Sequence, residues 1–417
     1  MVQPLDQRDR KPQDREGRRD FCQQSARRPA FVKRSLALAV GLSLLFSSGG
    51  VQAAGYAVPP PGYSPDMSSD EAGLWMRVDK AEAEIKVSPA LIRDEALNKY
   101  VRDLVCKLAG EHCGSIRVYV MEVPGFNAYM MPNGAMVVWS GLLLRMENES
   151  QLALILGHEL THYLHRHSLD QFRKMVNTAG AMMFVNIATA AAGVGVLGSL
   201  AGLAAVGGLL AHSREQERDA DTGGFDVTIA NGYDPRQAPA IWRYAADETN
   251  ANPNRSKALF FSTHPVPEDR MTGMAKRAQE LEGTRNDWVV NVDSYRAATD
   301  PFLIRWSEGE LARGESDESV VLFRRLAANA PSRGIFQYFL GESYRKRNAQ
   351  NDAAAAQVSY RGALACADAP VEAWRGLGLM AMKAGDNAAA KDAFTQYRAK
   401  APDANDKAMI DFYLTQM

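Results

Sequence analysis

The segment Gly157-His158-Glu159-Leu160-Thr161-His162 constrains this chain more than any other. Two histidines four apart on a helix stack on one face, one turn apart. His158 and His162 therefore aim two imidazoles at one point, with the Glu159 carboxylate beside them. The apolar run at 152–156, Leu-Ala-Leu-Ile-Leu, would bury that helix. Buried imidazoles and a carboxylate need partners. The arrangement suits a zinc ion held by the two histidines, with Glu159 placed to take a proton from a water activated there. His165 lies near the same face but one turn further on, and His167 is expected to point elsewhere. Both are read as surface or supporting residues, and as cationic groups near a helix C-terminus.

One helix cannot complete such a site, so the chain must return to it. Position 168 is Ser, so no third histidine follows six residues after His162. The segment 213–224, Ser-Arg-Glu-Gln-Glu-Arg-Asp-Ala-Asp-Thr-Gly-Gly, offers two pairs instead: Glu215 with Asp219, and Glu217 with Asp221. Either pair shares a helix face. One carboxylate would bind zinc and the other would receive an imidazole N–H. Spacing alone does not choose between the pairs.

Between the two motifs, residues 175–213 contain no Asp, Glu, Lys or Arg and are mostly Ala, Gly, Val, Leu and Met. A single membrane crossing would part His162 from Glu217, and two crossings need about 40 apolar residues plus a turn. A lid or plug over the site is favoured, with peripheral membrane contact as the second reading.

The 417 residues exceed one ordinary domain. A net charge of −1 gives no case for nucleic-acid binding. Residues 1–53 carry ten Lys+Arg against five Asp+Glu. Within them Lys33 and Arg34 precede an apolar run from Leu36 to Phe46, then small residues to Ala53. This has the form of a signal peptide with an extended basic n-region, cleaved near Ala53, and implies a periplasmic location. Cys106 and Cys113 then face two readings, a disulfide or two half-buried thiols.

Residues 54–72, rich in Pro and Gly at their start, read as a linker. A helical region (68–112), a strand (116–124) and a hairpin over 127–140 with Asn133-Gly134 as its turn follow. Residues 147–150 supply cap residues for the motif helix. Residues 286–299 read as a second linker. Beyond them, 300–417 repeats: Trp374, Leu377, Gly378, Ala390, Phe394 and Pro402 occupy the positions of a 34-residue helix pair. They resemble the tetratricopeptide pattern, with a weaker unit before it containing Leu340, Gly341, Tyr344, Ala356 and Tyr360. Such repeats are binding scaffolds.

The motif helix, the segment 213–221 and Ser-Thr-His-Pro at 262–265 together resemble the CAAX-prenyl-protease and HtpX-type gluzincin metallopeptidases over roughly residues 73–285. The family pattern falls on Ser213, Arg214, Glu217, Ala220 and Asp221. The resemblance thus implies Zn²⁺ on His158, His162 and Glu217, with Asp221 as the orienting residue. It leaves His264 three roles: an oxyanion donor, a fourth ligand of a latent resting enzyme, or a structural histidine. It also implies that Arg270 steadies the same loop, and that the strand at Asn127 and Ala128 pairs with an extended substrate. With an export signal and C-terminal repeats, the chain is similar to the periplasmic, β-barrel-assembly-enhancing branch of that family. The expected fold is mainly α: a zincin-like α+β metallopeptidase domain (73–285) with a small sheet, then an α-helical tetratricopeptide-repeat domain (300–417). The expected function is zinc-dependent endoproteolysis of unfolded or misassembled envelope proteins, with the repeats engaging outer-membrane assembly machinery. The rival is a chaperone or assembly adaptor whose proteolysis is minor or latent.

Overall fold

The computed structural model describes residues 57–177, 212–252, 264 and 268–417. The expected signal peptide, its cleavage point at Ala53 and nearly all of 175–213 lie outside them. The chain divides into two compact units, one ending at Leu322 and the other running Phe323–Met417. Among the described residues no helix is long and apolar enough to cross a membrane.

The first unit begins with helices α1 (Asp70–Val87) and α2 (Glu95–Ala109). The side chain of Asp94 caps α2 by accepting from Leu97 N at 2.9 Å. Leu97, Val101, Leu104, Val105 and Leu108 form its buried stripe at helical spacing. A disulfide joins Cys106 to Cys113, in the short 3₁₀ turn that follows.

Strands β1 (Arg117–Met121), β2 (Ala128–Met130) and β3 (Ala135–Trp139) form one sheet in the order β1-β3-β2. The β2–β3 pair is antiparallel, with Tyr129 opposite Val137. Gly134 makes the tight turn between them at φ +87, where a Cβ would meet the Ser115 carbonyl oxygen at 2.2 Å. Val78 and Ile85 of α1 pack on one face of the sheet against Met121, Tyr129 and Val137.

Glu82 lies buried against this sheet and receives Arg117 through both carboxylate oxygens at 2.6 Å, with Tyr119 OH also at 2.6 Å. Burial alone would raise its pKa, yet Arg117, Tyr119 and Lys86 bring it down to about 2. A carboxylate depressed on folding stabilises the native state above its unfolded pKa, and that stability is lost as pH falls through the folded value. The difference in stability between wild type and Glu82→Gln, measured in urea, should be about 2–3 kcal/mol at neutral pH and should vanish between pH 5 and about 2.

After α3 (Ser140–Arg145) comes α4 (Glu149–Leu164), capped by Asn148, which accepts from Gln151 N at 3.0 Å. Every residue from Glu149 to Tyr163 is buried, so α4 runs through the core. Arg166 then takes a left-handed conformation, φ 57, and redirects the chain into α5 (His167–Asn177). The chain returns as α6 (Arg214–Ala230), opened by a reciprocal cap between Ser213 and Gln216.

Helices α4 and α6 touch backbone to backbone. A Cβ on Gly224 would lie 2.5 Å from His158 N, and one on Gly157 would lie 3.0 Å from Gly224 O. These glycines let Glu217, one helix over, reach the imidazoles of α4. Gly224→Ala should push the helices apart, destabilise the unit by roughly 1–3 kcal/mol and weaken zinc binding. Calorimetry and zinc titration of the variant would show both effects.

The unit continues with α7 (Ala238–Asn250), α8 (Glu268–Glu280), α9 (Val292–Thr299), α10 (Leu303–Ala312) and the start of α11 (Ser316–Asn329). Two expectations change here. Residues 286–299 were expected as a linker, but they contain α9, whose Tyr295 is buried and donates to Leu143 O. Residues 300–322 were expected with the repeats, but they fall in the first unit. The reason is a buried ion cluster: Arg145 on α3 binds Glu248 on α7 at 2.6 Å and Glu310 on α10 at 2.9 Å.

The second unit contains α12 (Gly334–Arg347), α13 (Asp352–Leu364), α14 (Glu372–Lys383), α15 (Asn387–Lys400) and α16 (Lys407–Thr415). The glycines of these helices have a packing reason. A Cβ on Gly341 or Gly376 would press into the Tyr360 ring at 2.6 and 2.5 Å, and one on Gly378 would meet Phe394 at 2.4 Å. Each aromatic thus fills the space a glycine leaves on the neighbouring helix.

Candidate metal centre

Helix α4 presents His158 and His162 inward, and α6 presents Glu217 to them. Nε2 of His162 lies 3.1 Å from Nε2 of His158 and 3.5 Å from Glu217 Oε1. His158 Nε2 lies 3.6 Å from Glu217 Oε2. His264 closes the group, its Nδ1 3.0 Å from Glu217 Oε1 and 3.4 Å from His158 Nε2. All four residues are buried, and their ligand atoms lie within 4.8 Å of one another. Two or three imidazole nitrogens and one carboxylate oxygen converging on one point are the donor set zinc takes.

Glu159 is 1% exposed and stands on the other side of His264, with its Oε1 3.6 Å from His264 Nε2 and without a hydrogen-bond partner. Burial raises its pKa, although the neighbouring His264 and His158 and the Met130 N–H oppose the rise. Glu217 is the opposite case. Its burial would raise the pKa, but His264 and His162 hold the carboxyl well below the usual carboxylate range.

The surrounding residues separate the two acidic pairs of 213–221. Asp221 Oδ1 lies 3.1 Å from His158 Nδ1. Arg270 binds Asp221 through two N–H groups at 2.6 and 2.7 Å and Glu217 Oε2 at 2.7 Å. Arg270 therefore ties both carboxylates together, beyond the loop-steadying part expected of it. Glu215 is exposed, while Asp219 meets His165 and lies 3.1 Å from His167 Nε2.

His167 departs from expectation. It is 7% exposed, and its Nδ1 lies 2.9 Å from His162 Nδ1, because the left-handed turn at Arg166 swings it back toward α4. The sequence reading also passed over His212. Its ring is buried and stacked on that of His162, with centroids 3.7 Å apart. Burial pushes its pKa well down. Its place directly before Ser213 was the available signal.

On the sheet, Ala128 and Asn127 differ. The Asn127 carbonyl already accepts from Trp139 N at 3.1 Å, so that part of its backbone is engaged. In this antiparallel register Ala128 and Met130 turn their backbone polar groups away from β3. The Met130 N–H points to Glu159. The Asn127 side-chain amide is buried without a partner.

Residues 92–278 match peptidase family M48. The stretch is an M48 metallopeptidase domain. It runs from just before α2 into the last turn of α8 and contains every residue of the group just described. The chain is 30% identical over 210 residues to the β-barrel assembly-enhancing protease of Escherichia coli (strain K12), covering 48% of this chain and 42% of that one. It is 26% identical over 244 residues to the protein of the same name in Yersinia pestis, covering 54% and 49%. It is 29% identical over 191 residues to the mitochondrial metalloendopeptidase OMA1 of Schizosaccharomyces pombe, covering 45% and 51%. The chain spans about half the length of the relatives it matches.

Proposed function

We propose that the protein is an exported, zinc-dependent endopeptidase that hydrolyses unfolded or misassembled envelope proteins, outer-membrane β-barrels first among them. The observation that carries this reading is the buried group of His158, His162 and Glu217 with the Glu159 carboxylate beside it, one of its oxygens without a hydrogen-bond partner. The names of the relatives support the substrate class. The Cys106–Cys113 disulfide supports an oxidising compartment, the periplasm. The helix pairs of the second unit are read as tetratricopeptide repeats that bind substrate or outer-membrane assembly machinery.

His158, His162 and Glu217 would hold the ion, with Asp221 and Arg270 fixing two of them. Zinc bound there supplies a Lewis acid that polarises the scissile carbonyl and makes water a nucleophile near neutral pH. Glu159 takes the proton from the attacking water and passes it to the leaving amine. Its raised pKa suits both halves of that task. The outward backbone of Ala128 is the pairing edge for an extended substrate.

The position of His264 favours one of its three readings. Its Nδ1 falls among the ligand atoms, where it would act as a fourth ligand and close the site at rest. This is also the observation that favours the adaptor reading, since a closed site leaves binding by the repeats as the default activity. The test uses the full chain and an unfolded outer-membrane protein followed by gel electrophoresis. Cleavage should stop on chelation and return with zinc. His264→Ala should cleave severalfold faster than wild type. A slower variant would assign His264 to the oxyanion, and zinc-independent cleavage would sink the metallopeptidase reading.

A further inference from the structure

The two zinc-facing imidazoles of α4 are backed differently. His158 is faced on its outer nitrogen by a carboxylate, Asp221, at 3.1 Å. His162 is faced by another histidine. Its Nε2 points into the ligand group, 3.1 Å from His158 Nε2. A neutral imidazole that offers one nitrogen to a metal carries its proton on the other. Nδ1 of His162 therefore donates, and the atom 2.9 Å away that accepts is Nδ1 of His167. With that lone pair engaged, His167 carries its own proton on Nε2, which lies 3.1 Å from Asp219 Oδ2. Asp219 is held in turn by His165 Nδ1.

This inference rests on the zinc reading above and deepens it. We propose that His167 and Asp219 are positioning residues for His162, forming a chain His162–His167–Asp219 that sets the ring plane and tautomer of the second zinc ligand. The backbone is shaped for it. Position 167 is five residues past His162 and would leave the zinc-facing side of a continuous helix. Arg166 breaks α4 with a left-handed residue that is not glycine, φ 57, and its guanidinium is tied to Glu71. Such backbone conformations persist where the surroundings enforce them. The result seats His167 directly behind His162, 7% exposed.

His165, His167 and Asp219 also lie close enough to share an ion of their own. The two arrangements differ in stoichiometry: a hydrogen-bonded chain leaves one zinc per protein, and a second ion site gives two.

The test is zinc binding to the metal-free full chain, by competition with a chromophoric chelator, with folding checked by circular dichroism melts. His167→Ala should weaken zinc binding by roughly 10- to 100-fold. His167→Asn should recover most of that loss, because the asparagine amide oxygen falls near where Nδ1 stood and can accept from His162. Asp219→Ala should lose less than His167→Ala. His165→Ala should leave one zinc bound. A folded His167→Ala with wild-type affinity, or an Asn variant as weak as the Ala variant, overturns the proposal. So do two ions on the wild-type chain falling to one in His165→Ala. Failure of the zinc reading itself shows separately, as a wild-type chain that binds no zinc, and that removes both.

Discussion

Glu159→Gln should lower the rate of peptide hydrolysis by roughly 100- to 10,000-fold, the usual contribution of a positioned general base, while leaving zinc affinity near wild type. The two effects separate because Glu159 is not among the clustered ligand atoms. It sits beside His264, with one oxygen unpartnered and the Met130 N–H on the carboxylate. Glutamine preserves shape and can still accept from Met130, so folding should hold. What it cannot do is take a proton from water. The check is a pair of measurements on one preparation: cleavage of an unfolded outer-membrane protein, and bound zinc by metal analysis. Unchanged cleavage would remove Glu159 from the mechanism. Loss of zinc together with activity would make it a ligand or a structural residue. Complementation of an envelope defect by this inactive variant would favour the adaptor role.

The largest expected effect on stability lies away from the metal. Arg145→Ala should destabilise the first unit by about 3–5 kcal/mol, the cost of stranding buried charges by removing their partner. Arg145 is 2% exposed and bonds Glu248, Glu310 and the Gly141 carbonyl. Burial favours the neutral form of Glu310, but Arg145 and Arg313 keep its carboxyl below the usual range, so it stays charged. Removing the guanidinium takes a buried cation from both Glu248 on α7 and Glu310 on α10, and leaves Arg313 beside Glu310. Urea denaturation should show the loss at neutral pH. A replacement of all three by well-packed apolar residues should cost far less, since that removes the charges along with their pairing. A near-neutral Arg145→Ala would mean that water reaches the cluster.

Much of this arrangement is legible in the residues. The i, i+4 histidines, the apolar run before them and the Asn148 cap describe α4 almost completely, because these are local rules acting within one helix. The hairpin at Asn133-Gly134 is readable for the same reason. What local rules do not carry is the return of the chain. The spacing of 213–221 left two acidic pairs open, and only the family resemblance chose Glu217. The fold places Glu217 beside the histidines through glycines at 157 and 224, whose meaning appears only when two backbones touch. His167 was expected to point away because continuous helical geometry says so. The left-handed residue before it, an arginine where glycine would have been the signal, hid the turn. The linker expected at 286–299 failed similarly. No local rule marks it as part of the domain: the buried Tyr295 and the backbones of Val289 and Val290, which bond Gly232, Asp234 and Ser150, hold it to the first unit.

The pairing edge proposed at Ala128 would have a consequence for selectivity. Main-chain pairing carries no information about side chains. It asks only whether a segment can lie flat and extended, with its own amides unengaged, for long enough to be cut. In a finished β-barrel every strand is already paired on both sides, and in a stalled one some are not. A protease that recognises its target this way would measure how far folding has progressed, and would need no consensus sequence to tell an orphaned strand from an assembled one.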